Sequence, residues 1–248
     1  VLIVFSFNNS KNRAVWHGFT TKWYSDLFHN DLILDSLKLT LLVAFLAAII
    51  ATVIGTAAAV GMYGMNAKLR KTLMAVNNIP MVNPEIVTGI SMMLMFVFLF
   101  RATGLLKLGF GTLLLAHITF CIPYVVLQVM PKLRQMNKHM YEAALDLGCH
   151  PLSAFFKVVL PEIMPGVVTG ALMAFTMSLD DFVISLFNSG STAQTLSVTI
   201  YSMTKKPVTP EINALSTLMF GTVLLLLLLV NIRQIRDLGG KNKKKGDR

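Results

Sequence analysis

Charge is what this sequence has least of. Asp, Glu, Lys and Arg make up only 14% of its 248 residues, whereas a soluble domain carries about a quarter. Hydrophobic residues reach 54% and the mean hydropathy is +0.65. An ordinary water-soluble globule is excluded, and a polytopic helical membrane protein is the natural class. Two cysteines, Cys121 and Cys149, form no disulfide or metal-ligand pattern. No P-loop of the form GxxxxGK[ST] is present, so this chain is not expected to cradle nucleotide phosphates in that way. Neither an internal repeat nor a linker divides the sequence, and residues 1–248 read as a single transmembrane domain.

Acids are scarcer than bases, 12 against 22, which leaves a net charge of +10. Position decides what that excess means. Fourteen of the 22 basic residues fall in three segments: Lys68, Arg70 and Lys71; then Lys132, Arg134, Lys138 and Lys157; then Arg233, Arg236, Lys241, Lys243, Lys244, Lys245 and Arg248. These segments alternate with apolar runs, as cytoplasmic loops do under the positive-inside rule. Basicity here is topology, and no nucleic acid partner is expected. The Lys-rich tail reads as a solvated cytoplasmic end facing anionic lipid.

A membrane span needs about 20 residues. On that measure residues 36–62, 84–101, 108–130, 164–187 and 212–232 are expected to cross the bilayer. Residues 1–6 read as the end of a first span, which makes six. Residues 8–35 are polar but rich in aromatics (Trp16, Phe19, Trp23, Tyr24, Phe28), the composition of a membrane interface with a short surface helix. Pro80 and Pro84 argue against regular helix before Pro84. Residues 188–211 read as an outer loop rich in Ser, Thr and Gly.

The most specific stretch is residues 141–166, YEAALDLGCHPLSAFFKVVLPEIMPG. Met136, Met140, Ala143, Ala144 and Leu147 share one helical face. Gly148 suits a helix end with φ > 0, and Pro151 suits the first position of a second helix. The expectation is a bent pair of short amphipathic helices with a glycine elbow. Glu142-Ala143-Ala144, then three residues, Gly148, nine residues and Val158-x-Leu160-Pro161 resemble the EAA loop of ABC-importer permeases. One position departs from that pattern, Val158 in place of isoleucine. The resemblance implies a cytoplasmic coupling segment that docks into a groove on an ATP-hydrolysing subunit. It further implies that Glu142 makes polar contacts there, Ala143 and Ala144 permit close approach, and Gly148 sets the bend ahead of Leu160 and Pro161.

Asp180 and Asp181 sit inside the apolar run of the expected fifth span. An ionised Asp at a helix centre costs about 2.5–3.5 kcal/mol, so such residues face a protein interior or cavity. One of the pair is expected to line a path while the other bonds to a neighbouring helix; two purely structural carboxylates are the alternative. Glu85 directly follows Pro84, where the helix dipole itself favours a carboxylate. His117 lies mid-span, and cross-helix hydrogen bonding is its simplest role. Tyr124, Phe182, Phe187 and Tyr201 offer either cation–π faces to an amine or plain packing. Past their boundaries the spans hold carboxylates and no Lys or Arg, which favours a cationic cargo.

WHGFTTKWY, HITFCIPYVV, SLDDFVIS and IYSMTKKPVTPEINAL extend the resemblance along nearly the whole chain. Together they resemble the PotC-type permease subunits of spermidine/putrescine ABC importers. That resemblance implies an all-α, six-span, MetI-like permease in the bacterial inner membrane, with the coupling loop and C-terminus cytoplasmic. Its implied partners are two ATP-binding subunits, a second permease subunit, a periplasmic polyamine-binding protein and the lipid bilayer. No cofactor or metal is expected on this chain, and it is expected to be a transporter subunit rather than an enzyme. An importer permease for another small solute, such as ferric ion or phosphonate, is the alternative. An ATP-independent secondary transporter is the more distant one.

Overall fold

The computed structural model describes residues 2–9 and 17–204, with 213, 214, 216–218, 220, 221 and 224. Among the described residues the regular structure is helical, and Asn8 and Phe19 form an isolated antiparallel bridge. Two compact units divide the chain, residues 1–36 with 199–248, and residues 37–198.

The first unit contains α1 (Leu2–Phe5), α2 (Lys22–Phe28) and the start of α3 (Asp31–Tyr63). Its aromatics largely satisfy one another. Phe7 stacks on Phe19 at 5.0 Å, the hydroxyls of Ser6 and Tyr24 lie 2.7 Å apart, and the Trp23 indole N–H donates to the Asn8 carbonyl at 2.8 Å. The expected surface helix is α2.

In the second unit α3 continues into α4 (Ala67–Val82), α5 (Glu85–Thr103), α6 (Phe110–Gln135) and α7 (Lys138–Asp146). Next comes one uninterrupted run: α8 (Pro151–Ala154), a π turn (Phe155–Val159) and α9 (Leu160–Asp180). Two shorter helices follow, α10 (Val183–Asn188) and α11 (Leu196–Thr204), the latter passing into the first unit. Among the described residues, four helices are long and apolar enough to cross a membrane: Asp31–Tyr63, Glu85–Thr103, Phe110–Gln135 and Pro151–Asp180. They match the expected spans at 36–62, 84–101 and 108–130, and most of 164–187. The expected span at 212–232 lies outside the described residues except at a few positions, and the basic tail lies wholly outside them.

Helix α6 is the centre of the second unit. Thirteen of its residues are buried; Val125, Val126, Val129 and Leu133 anchor the apolar core with Ile163 and Ala174 of α9, and Leu113 packs in a smaller cluster with Val43 and Ala193. The two helices approach so closely that a Cβ on Gly166 would stand 2.8 Å from the Gln128 carbonyl oxygen. Small residues at such crossings are how membrane helices gain packing where lipid removes the hydrophobic incentive. Outward faces are apolar instead: Phe45, Ile49 and Val53 on α3 and Leu94 and Phe98 on α5 are exposed. Hydrocarbon, not water, is the solvent such faces suit.

Four expectations need correction. Residues before Pro84 are helical after all: Pro80 lies in the last turn of α4, where it forfeits its own backbone bond without breaking the turns before it, and the chain turns at Asn83 and Pro84. The segment after Pro151 is no separate short helix. It continues to Asp180, and the π turn carries it past Pro161: Leu160 N–H bonds Phe155 C=O, a wider ring just before the residue that donates nothing. The fifth span does not run unbroken to residue 187 either. It stops at Asp180, Asp181 is extended (ψ 128°), and α10 begins at Val183. Finally, the Ser/Thr-rich stretch is helical from Leu196, whose N–H is taken by Thr40 Oγ1 at 2.8 Å.

Candidate functional site

Two places on the Pro151–Asp180 run carry the residues singled out from the sequence, one at each end. At the first end, Asn137 caps α7 through Oδ1, accepting from His139 N at 3.1 Å. The helix closes in a Schellman motif: Gly148 N–H bonds Leu145 C=O at 2.9 Å and Cys149 N–H bonds Ala144 C=O at 3.1 Å. Gly148 has φ +83°, the left-handed conformation that glycine adopts without strain. His150 then caps the next helix through Nδ1, accepting from Leu152 N, and Pro151 occupies its first position.

The elbow is open. Glu142, Ala143, Gly148 and Pro161 are exposed, while Ala144 and Leu160 are half-buried. Glu142 pairs with His139 at 3.1 Å on the surface. Large apolar side chains stand out beside it: Leu147 is 86% exposed, Leu152 65% and Phe156 61%. An elbow that leaves its apolar groups uncovered has the composition of a docking surface.

At the far end the two adjacent acids differ completely. Asp180 is exposed, whereas Asp181 is only 8% exposed. Asp181 caps α10, with Oδ1 accepting from Ile184 N at 3.3 Å and Oδ2 from Ser185 N at 2.7 Å. From α6, His117 reaches the same spot: Nδ1 is 2.7 Å from Ser178 Oγ, Nε2 is 3.1 Å from Ser185 Oγ and 3.6 Å from Asp181 Oδ2. Asn188 then ties α10 to α5, donating through Nδ2 to the Gly89 carbonyl at 3.3 Å.

Glu85 is exposed in the first turn of α5 and lies near Tyr124, a half-buried ring packed edge-on against Phe120 at 5.3 Å. Phe182 is half-buried within the break itself. Cys121, one turn before Tyr124 on α6, is buried with its thiol directed at the Ala174 carbonyl of α9, 3.4 Å away. Of Glu85, Tyr124, Asp180, Asp181 and Phe182, the exposed carboxylates are those of Glu85 and Asp180.

Ser178, His117 and Asp181 superficially combine nucleophile, base and acid. Ser178 is 2% exposed and His117 is 1% exposed, so no substrate reaches the hydroxyl. The cluster is an internal brace. Among the described residues no group of three His, Cys, Asp or Glu is arranged to hold a metal. Sequence reasoning had His117 bonding across helices, as it does, but missed Ser178, Ser185 and Asn188. A signal was present: 178, 181, 185 and 188 recur at intervals of three and four, a polar stripe within an apolar run.

The sequence profile of the family described as "Binding-protein-dependent transport system inner membrane component" matches residues 51–235. The chain is 42% identical over 225 residues to the Escherichia coli (strain K12) "Putrescine transport system permease protein PotI", covering 90% of this chain and 80% of that one. It is 39% identical over 247 residues to the "Spermidine/putrescine transport system permease protein PotC" of the same strain, covering 100% of this chain and 89% of that one. Among solved structures, a bacterial ABC transporter for the acidic polysaccharide alginate superposes with TM-score 0.75 at 14% identity, over 94% of this chain and 87% of that one. The MetNI methionine ABC transporter superposes with TM-score 0.66 at 23% identity, over 83% and 95%. The last two establish the fold, that of ABC-importer permeases. With the profile spanning most of its length, the chain belongs to the family of binding-protein-dependent transport inner membrane components.

Proposed function

We propose that this family member is a permease subunit of an ATP-driven importer for polyamines, spermidine or putrescine. It works in the bacterial inner membrane with two ATP-binding subunits, a second permease subunit and a periplasmic polyamine-binding protein. The binding protein docks on the outer loops, including residues 188–211, and releases cargo to a cavity between the permease subunits. Closure of the ATPases pushes on residues 142–161, which face the cytoplasm, as does the C-terminus.

One observation carries the reading. Glu85 and Asp180 are exposed carboxylates, and the stretches 86–100 and 158–179 beside them hold no lysine or arginine. Each stands at a helix end, where lipid still disfavours a charge, though by less than the about 2.5–3.5 kcal/mol of a helix centre. They therefore belong on a covered, polar face, where a cationic cargo supplies the missing charge and Tyr124 and Phe182 offer π faces to its ammonium groups. The similarity to polyamine permeases supports the same cargo.

Mechanical coupling has a physical carrier. Pro151–Asp180 is 30 residues of continuous helix, about 45 Å at 1.5 Å per residue. A displacement at the elbow is thus carried along one rod to the acidic break.

The test is energised uptake of labelled spermidine by the reconstituted complex. Asp180→Asn should weaken apparent affinity by about tenfold, the scale of one lost charge-assisted contact, at unchanged assembly. Unchanged spermidine kinetics, or uptake of ferric ion or phosphonate instead, would overturn the polyamine reading.

A further inference from the structure

Asp180 and Asp181 are neighbours in the chain and opposites in environment, and chain geometry alone does not decide which faces out. In an unbroken helix the two would point about 100° apart, and a modest rotation would exchange them. The break prevents this. It is held by a side chain from another helix. His117, 61 and 68 residues from its two serine partners, bonds Ser178 before the break and Ser185 after it. A neutral imidazole has one donor and one acceptor nitrogen, and a hydroxyl can serve either, so the ring satisfies both serines in either tautomer. Asp181 Oδ2, at 3.6 Å from Nε2, is beyond a hydrogen bond and accepts from the Ser185 amide, while Oδ1 accepts from that of Ile184.

The two halves of the span have different anchors. Helix α9 lies on α6 through Gly166, and α10 is tied to α5 through Asn188 and Gly89. His117 is the one imidazole among the described residues that bridges them. We propose that His117 is the positioning residue of the acidic break: by pinning Ser178 and Ser185 it fixes Asp181 in the α10 cap, which leaves Asp180 as the carboxylate presented to cargo. The second half of that statement rests on the proposed polyamine reading.

Two readouts on the assembled complex separate the parts. The first involves no cargo: amide hydrogen exchange over residues 182–188, where the Asp181 cap protects Ser185. His117→Leu should speed this exchange by about tenfold, because two buried hydroxyls lose their partner and the cap loosens. His117→Gln, which retains one donor and one acceptor, should restore most of the protection. The second readout is spermidine uptake, where His117→Leu should raise the apparent KM by about tenfold while Vmax stays within about twofold. Should His117→Leu fail to assemble, Ser185→Ala and Ser178→Ala take its place, each removing one arm without removing the ring. Unchanged exchange in an assembled variant overturns the proposal. So does faster exchange without a KM change, if Asp180→Asn does raise KM. If neither His117→Leu nor Asp180→Asn moves KM while exchange rises, the assignment of Asp180 to cargo fails and the pinning of the cap stands.

Discussion

The two ends of the Pro151–Asp180 helix interrupt it by opposite means. At the elbow, everything that shapes the backbone lies within a few residues: Gly148 at φ +83°, the Schellman bonds to Leu145 and Ala144, the His150 cap and Pro151. At the acidic break, local sequence supplies only Asp181, and the shape is imposed by His117 from α6 and Gly89 from α5. The elbow leaves its apolar side chains uncovered, while the break buries its polar ones apart from Asp180. A locally encoded bend keeps its form while its surface is used by a partner. A tertiary break holds its form only as long as neighbouring helices stay in place, which suits a point that must respond when they move.

The rod between the two ends offers the most severe way to break the comparison. Gly166→Leu forces side-chain atoms into space where even a Cβ would lie 2.8 Å from the Gln128 carbonyl. Overpacking of this kind costs about 1–3 kcal/mol or more, and little assembled complex should be recovered on size-exclusion chromatography. Gly148→Val comes next. Nothing lies within 4 Å of an added Cβ there, so the cost is purely conformational, about 1–2 kcal/mol for a left-handed residue. ATP hydrolysis should persist without cargo stimulation and spermidine uptake should fall by about tenfold or more, the factor that such a cost represents. Gly148→Asn, tolerated in that region, should retain most uptake; equal loss in both variants would contradict a conformational role.

Asp181→Ala acts on the other end and more gently. Loss of an N-cap costs about 0.5–2 kcal/mol, so the melting temperature of the complex should drop measurably, whereas Asp180→Asn should leave it unchanged and alter only uptake kinetics. The smallest effect is expected from Leu147→Ser. This side chain is 86% exposed and contributes little to the chain's own stability; only the binding of the ATPase subunit, measured by pull-down, should weaken.

The same contrast explains what was legible in the sequence. Gly148, Pro151 and the first three described spans announce themselves through local chemistry and hydrophobic length. Residues 178–188 read as a continuation of the fifth span because apolar residues resume after the two acids and no Pro or Gly marks residue 181 or 182. What stops the helix lies 61 to 99 residues away, beyond any local pattern. Helix α11 was hidden for a related reason: its start is satisfied by Thr40, 156 residues earlier. Pro80 misled in the other direction, since a proline near a helix end removes only one bond. For the candidate site, the residue types were legible but not the division of labour between Asp180 and Asp181, which only the fold makes visible.

Cys149 makes the central claim directly testable without altering the elbow, for it is exposed and the other cysteine, Cys121, is buried. A thiol-linked photo-crosslinker placed on Cys149 in the intact complex should yield an adduct with the ATP-binding subunit, and in whole cells Cys149 should be shielded from a membrane-impermeant thiol reagent. Labelling of Cys149 from outside the cell, with no adduct to that subunit, would contradict the account.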